Sequence, residues 1–142
     1  MKTIGLVPEL YVRDIRRSLD FYMEILGFVI LYQREEENFA YLKRENAELM
    51  LDQIGESRDW ITGELNDPLG VGINFQIEVS NVSLLHQNLR THKIEPFLKM
   101  EEAWYRKNDH YVGNKQFMVQ DPDGYLLRFY QDLGRRNQPG SR

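Results

Sequence analysis

Asp121-Pro122-Asp123-Gly124-Tyr125-Leu126-Leu127-Arg128-Phe129 reads as a tight turn that feeds a strand. Pro122 presets φ at the second turn position, and Gly124 suits the position that closes a type I turn. The following residues alternate as a half-buried strand requires. Leu127 and Phe129 point one way, while Leu126, Arg128 and Tyr130 point the other. An arginine in the middle of such a strand must be solvated, paired or used. The stretch also has an echo. Displaced back by a constant interval, Phe117 falls on Phe39, Leu127 on Leu49, Phe129 on Leu51 and Gln131 on Gln53. The turn Asp123-Gly124 falls on Glu45-Asn46. A slightly shorter displacement superposes Ile77-Glu78-Val79-Ser80-Asn81-Val82 on Leu10-Tyr11-Val12-Arg13-Asp14-Ile15. Residue types and element order agree, which predicts an internal repeat of roughly 55–65 residues.

The 142 residues suffice for one compact domain. A composition of 42% hydrophobic and 28% charged residues supports a real core and excludes disorder for most of the chain. The net charge of −4 argues against nucleic acid as the main partner. No apolar run reaches about 18 residues, so no membrane span is expected. Met1-Lys2-Thr3-Ile4-Gly5-Leu6 lacks the apolar core of a signal peptide. Cysteine is absent, which removes disulfides, thiolate metal sites and cysteine nucleophiles. A cytoplasmic location is the simplest expectation.

Taken in order, residues 4–12 alternate as a strand, with Pro8 early enough to be tolerated. Asp14 is a good N-cap for a helix over 15–26, with the stripe Ile15, Leu19, Tyr22 and Leu26 and a stop at Gly27. Strands are predicted over 28–34, 39–43 and 47–52, with Glu35-Glu36-Glu37-Asn38 as a charged turn. This half is β-α-β-β-β. Residues 54–69 read as a linker in which Trp60 and Ile61 are apolar islands that pack or rim a pocket. The second half repeats the pattern. A strand lies near 74–79, and Asn81 caps a helix carrying Val82, Leu85 and Leu89. A strand follows over 94–100, then a long loop from Glu101 to Lys115, a strand from Gln116, and the final hairpin. His86 and His92 lie about 240° apart around the helix, cannot share a metal from one face, and are expected to face solvent. The organisation is one domain over 1–134, with module 1 near 4–53 and module 2 near 70–133, then a polar tail over 135–142.

Two such modules, with Val12-Arg13-Asp14-Ile15, Ser18, Phe21-Tyr22 and Leu26-Gly27-Phe28 in the first and DPDGYLLRF in the last hairpin, resemble the vicinal oxygen chelate superfamily of glyoxalases, bleomycin-resistance proteins and extradiol dioxygenases. The resemblance covers about residues 4–133. It implies an α+β fold in which two βαβββ modules form a curved mixed sheet cup, with helices on the convex side and ligand on the concave side. By alternation, Leu10, Val12, Leu49, Leu51, Phe75, Ile77, Val79, Leu127 and Phe129 should meet the helices. Val7, Glu9, Tyr11, Glu48, Met50, Asp52, Asn74, Gln76, Glu78, Leu126, Arg128 and Tyr130 take the opposite face, which is either solvated or the binding cup.

Metalloenzymes of the superfamily place one ligand on each of four cup strands. The matching positions here are Val7, Met50, Asn74 and Arg128. Valine cannot ligate, methionine is soft, asparagine alone is weak, and arginine is a permanent cation. The resemblance therefore falls on the bleomycin-resistance branch, which needs no metal or other cofactor and sequesters its ligand as a dimer. The expected ligand is cationic and aromatic, drawn by Glu9, Glu48, Asp52 and Glu78 and stacked on aromatic side chains. The expected binding residues are Glu9, Tyr41, Glu48, Met50, Asn74, Gln76, Trp104, Tyr105, His110 and Arg128. Arg128 either contacts ligand or pairs with a cup carboxylate such as Glu9 or Glu48. Catalysis stays open, with an atypical carboxylate site supporting a metal-dependent lyase, isomerase or dioxygenase as the alternative. His110 is a candidate general base. A third reading keeps the fold for protein interaction. No Gly-rich phosphate loop and no spaced hydrolase triad are present. A homodimer is expected because open sheet edges and an exposed cup need covering.

Overall fold

The repeat is present as two copies of one topology. The computed structural model describes residues 4–56 and 60–138. The first copy holds β1 (Glu9–Val12), α1 (Ile15–Asp20), β2 (Val29–Arg34), β3 (Phe39–Arg44) and β4 (Ala47–Gln53). Its sheet runs β1-β4-β3-β2, with β1 parallel to β4 and the other pairs antiparallel. The second copy holds β5 (Asn74–Glu78), α2 (Val82–Thr91), β6 (Leu98–Lys107), β7 (His110–Gln120) and β8 (Leu126–Arg136). Its order is β5-β8-β7-β6, with β5 parallel to β8. Both are mixed four-stranded sheets with one helix each, the expected α+β βαβββ module.

The chain divides into two compact units, Met1–Val71 with Asp121–Tyr125, and Gly72–Gln120 with Leu126–Arg142. The turn that joins β7 to β8 thus belongs to the first unit. In each unit a parallel crossover needs a helix, and each helix is started the same way. The Asp14 carboxylate accepts from the amides of Arg16 and Arg17, and the Asn81 side chain accepts from the amide of Leu84. A glutamine from the last strand completes the job. Gln53 Oε1 accepts from the Ile15 amide at 2.9 Å, and Gln131 Oε1 from the Val82 amide at 3.1 Å. The two glutamines that align in sequence therefore satisfy the same orphan donor of their helices.

The cores follow the alternation. Leu10, Val12, Tyr22, Leu26, Phe28, Leu42, Leu49 and Leu51 are buried in the first unit. In the second, Ile77, Val79, Leu85, Leu89, Phe117, Leu127 and Phe129 are buried, with Phe117 and Phe129 stacked at 5.7 Å. Phe75 is only half-buried. Helix α1 widens into a π-helical turn over Phe21–Ile25, and Gly27 at φ 80° ends it where a stop was predicted. Among the described residues no helix is long and apolar enough to cross a membrane.

Four expectations need correcting. The strand predicted over 94–100 begins only at Leu98. The segment read as a loop from Glu101 to Lys115 is a β-hairpin, in which Glu101 pairs with Gln116, Tyr105 with Val112 and Lys107 with His110. Only Ala103 is buried along β6, so this strand has no apolar alternation to betray it. The expected tail is shorter: Arg135 and Arg136 belong to β8, and 139–142 lie outside the described residues. His86 does not face solvent freely. Its ring meets Phe117 edge-on at 5.2 Å, whereas His92 is exposed.

Candidate functional site

The residues that carry the family motifs bind one another. Gly124 N–H donates to the Asp121 carbonyl at 3.0 Å, which closes the predicted turn. Asp121 Oδ1 accepts from the amides of Asp123 and Tyr125, both at 2.9 Å, and Oδ2 accepts from the Tyr22 hydroxyl at 2.7 Å. Asp123 accepts from the Arg17 guanidinium at 3.1 Å and lies beside the buried Ser18 hydroxyl at 3.5 Å. Asp121 and Asp123 are 5% and 4% exposed. Burial pushes the Asp121 carboxyl up from the ordinary 3.8, although the Tyr22 hydroxyl pulls it back. A Cβ on Gly124 would lie 2.2 Å from the Pro68 Cβ, and its φ is +96°. These polar atoms are spent on holding the turn in the first unit, so Asp121-Pro122-Asp123-Gly124 serves as an anchor.

On the first unit's open face, register places Glu9, Met50, Tyr41 and Tyr32 in one row, with Tyr11, Asp52, Phe39 and Arg34 in the next. The acids here have partners. The Tyr41 hydroxyl donates to Glu48 at 2.6 Å, which pushes the phenol up to about 12. Burial raises the Glu9 carboxyl, and Asp52 beside it adds to the shift, against the opposing charge of Arg34. Tyr32 and Tyr41 stack at 5.0 Å. The Arg34 guanidinium sits 4.1 Å over the Phe39 ring and pairs with Glu37.

The second unit's open face holds a cavity of about 410 Å³ lined by Gln76, Tyr105, Val112, Asn114, Arg128 and Tyr130, with Lys107 and Asp132 at its charged margin. Strands β5, β8, β7 and β6 each contribute. Gln76 stands opposite Arg128, and its Oε1 accepts from an Arg128 terminal nitrogen. Gln116, 1% exposed, lies across from Tyr130 on the same face. Its Nε2 donates to Glu101 Oε2 at 2.8 Å and to the Tyr105 hydroxyl oxygen at 2.7 Å. Gln116 Oε1 and Arg128 Nε are buried without a hydrogen-bond partner among the described residues. Native proteins rarely leave such atoms unsatisfied, and a ligand is one thing that satisfies them.

Of the sequence-predicted residues, Gln76, Tyr105 and Arg128 meet at this cavity. Glu9, Tyr41, Glu48 and Met50 lie on the first unit's open face, and Asn74 is exposed opposite Leu126. Trp104 is on the other face of the hairpin from Tyr105. Its ring fills the space a Gly113 side chain would take, under the Arg136 guanidinium at 3.9 Å. His110 begins β7, and its ring nitrogen is 3.1 Å from Asp109. Within the second unit, among the described residues, the hydrogen-bond partner of Arg128 is Gln76. Asn114 and Lys107 escaped the sequence reading because their segment was taken for a loop, while Gln116, at the start of a predicted strand, and Asp132, in the final hairpin, were given no face. Asn108-Asp109 was the available signal, a two-residue hairpin loop with Asn108 at φ 57°.

The metal of the superfamily's enzymes does not fit these donors. Among the described residues no three His, Asp or Glu side chains stand together as a metal site. At the matching positions Met50 is a soft thioether and Arg128 brings a positive charge.

The family model for the glyoxalase/bleomycin resistance protein/dioxygenase superfamily matches residues 6–129. A bleomycin resistance protein from Geobacillus stearothermophilus is 26% identical over 136 residues, covering 89% of this chain and 96% of its own. A solved superfamily member from Vibrio splendidus is 39% identical, covering 89% of this chain and 97% of that one, with a TM-score of 0.40. A virulence protein from Salmonella typhimurium shares the fold, with a TM-score of 0.66 at 19% identity over 92% of this chain and 98% of that one. With two βαβββ modules and a family match across nearly its whole length, the chain belongs to the glyoxalase/bleomycin resistance protein/dioxygenase superfamily.

Proposed function

We propose that this chain is a metal-independent small-molecule binding protein of the bleomycin-resistance type, which sequesters its ligand without converting it. The observation that carries the reading is the second unit's cavity. It has the volume of a ligand site, aromatic walls in Tyr105 and Tyr130, and in Arg128 Nε a buried polar atom with no hydrogen-bond partner among the described residues. The sequence similarity to a bleomycin resistance protein supports it. The donor chemistry argues against the superfamily's metal-dependent reactions, because Arg128 occupies a ligand position with a permanent charge.

The same reading includes a homodimer and a cytoplasmic location. Strand β2 is an edge of its sheet and carries Val29 and Leu31 at 56% and 50% exposure, an apolar edge that a second copy would cover. The test is to titrate metal-stripped protein with bleomycin, follow binding by intrinsic fluorescence, and recover the ligand for mass spectrometry. Saturable binding with unchanged ligand mass is expected. A need for added divalent metal, or a converted product, would replace sequestration by a lyase, isomerase or dioxygenase activity.

A further inference from the structure

We propose that the ligand of the second unit's cavity presents an oxyanion, a carboxylate or phosphonate on a planar ring, to Arg128. This rests on the reading that the cavity is the binding site, and it departs from the cationic ligand that the acidic residues suggested. Those acids do not line this cavity. Glu9, Glu48 and Asp52 belong to the other unit, where Glu48 already accepts from Tyr41, and Glu78, on β5 opposite Tyr130, lies outside the lining.

The lining is rich in donors. Arg128 is held by Gln76, a neutral acceptor, so its charge is compensated by no carboxylate within ion-pair distance among the described residues. Its Nε–H is buried and unpaired. Lys107 lines the same cavity and makes no ion pair among the described residues either. The one carboxylate of the lining, Asp132, already accepts from the Gly134 amide at 2.8 Å. Tyr105 supplies a third donor. Glu101 fixes the Gln116 amide with its nitrogen toward the Tyr105 oxygen, so that oxygen is an acceptor in this bond and the phenolic proton remains to be given. Guanidinium, ammonium and phenol are the donors that suit an oxyanion, and charge-assisted hydrogen bonds are the strong ones. Behind this lining, opposite Tyr130, Gln116 Oε1 is buried without a hydrogen-bond partner among the described residues, and a donor on the ligand would satisfy it. An acid group with a neighbouring hydroxyl on a flat ring answers these demands, with Tyr105 and Tyr130 beside the ring.

The experiment compares small probes of matched shape by two-dimensional amide NMR at millimolar concentration. The probes are 2-hydroxybenzoate, phenylphosphonate, the neutral 2-hydroxybenzamide and the cation benzylammonium. The acids should shift amides of β5, β7 and β8 and bind at least about tenfold more tightly than the amide, the ratio that corresponds to one good charged contact. Arg128→Gln should erase that preference, and Lys107→Gln, an exposed change that leaves the core alone, should reduce it. A dispersed spectrum establishes that each variant is folded. Equal binding of acid and amide, or an acid affinity untouched by Arg128→Gln, overturns the proposal. If bleomycin or benzylammonium binds while the acids do not, the oxyanion proposal falls and sequestration stands. If the acids bind as expected and bleomycin does not, the oxyanion proposal is supported and the antibiotic reading falls.

Discussion

Tyr22→Phe removes one oxygen from a fully buried ring and tests how the motif turn is held. The Tyr22 hydroxyl donates to Asp121 Oδ2 at 2.7 Å, while Oδ1 is occupied by the amides of Asp123 and Tyr125. The variant leaves a buried carboxylate one donor short, and losing a hydrogen bond to a charged group costs about 1.5–3 kcal/mol. At about 3–4 °C per kcal/mol for a chain of this size, the melting temperature should fall by about 5–12 °C. The effect should depend on pH. Burial raises the folded-state pKa of Asp121 above 3.8, so its protonation favours the fold below 3.8 and this contribution is lost as pH rises through the higher folded value. The Tyr22 hydroxyl opposes that rise, so removing it moves the folded value further up. The penalty of Tyr22→Phe should therefore be largest at neutral pH. It should shrink toward the about 0.5–1.5 kcal/mol of a neutral hydrogen bond as the solution is acidified toward the ordinary carboxyl range. In an Asp121→Asn background, where no charge is left to strand, the same small cost should hold at every pH. The assay is urea unfolding of the four variants of this cycle at about pH 7 and pH 4.5. A penalty that is independent of pH, or identical with and without the Asp121 charge, refutes the account of a buried, charge-bearing anchor.

Three further outcomes follow from single contacts. Gln53→Ala and Gln131→Ala should each cost about 0.5–2 kcal/mol in urea unfolding, because each strips the same partner from the first amide of a helix; a cost for one alone would break the equivalence. Gly113→Ala should destabilise by about 1–3 kcal/mol and shift the tryptophan emission, since the new Cβ would lie 2.6 Å from the Trp104 ring. His86 has its pKa lowered from 6.5, first by burial and then by Arg90 and Lys115, so the unfolded chain takes up its proton first and stability falls as pH drops below 6.5. His86→Gln should flatten that part of the urea-midpoint profile between about pH 7 and 5.5, and an unchanged slope would assign it to another group.

The repeat, its two βαβββ modules and both helix starts are legible in the sequence because they rest on local rules. Alternation puts Leu127 and Phe129 inward, Asp14 and Asn81 cap, and Gln53 aligns with Gln131. Arg128 also stands out from sequence, as a charge in a strand that otherwise reads as core. What it pairs with does not, since Gln76 lies far along the chain and meets it only across the β5–β8 ladder. The hairpin of β6 and β7 is hidden for the opposite reason. Its first strand, β6, is held by backbone pairing and buries only Ala103, so its side chains carry no periodic imprint. Without that hairpin, Trp104 and Tyr105 look like equivalent loop aromatics. Strand pairing sends them to opposite faces, one over Gly113 and the other into the cavity. Sequence by itself determined the fold and the residue types that stand at Val7, Met50, Asn74 and Arg128, because residue type and spacing suffice for those. Only the tertiary structure decided which polar groups satisfy each other and which, such as Arg128 Nε and Gln116 Oε1, find no partner among the described residues, because that depends on which strands lie side by side.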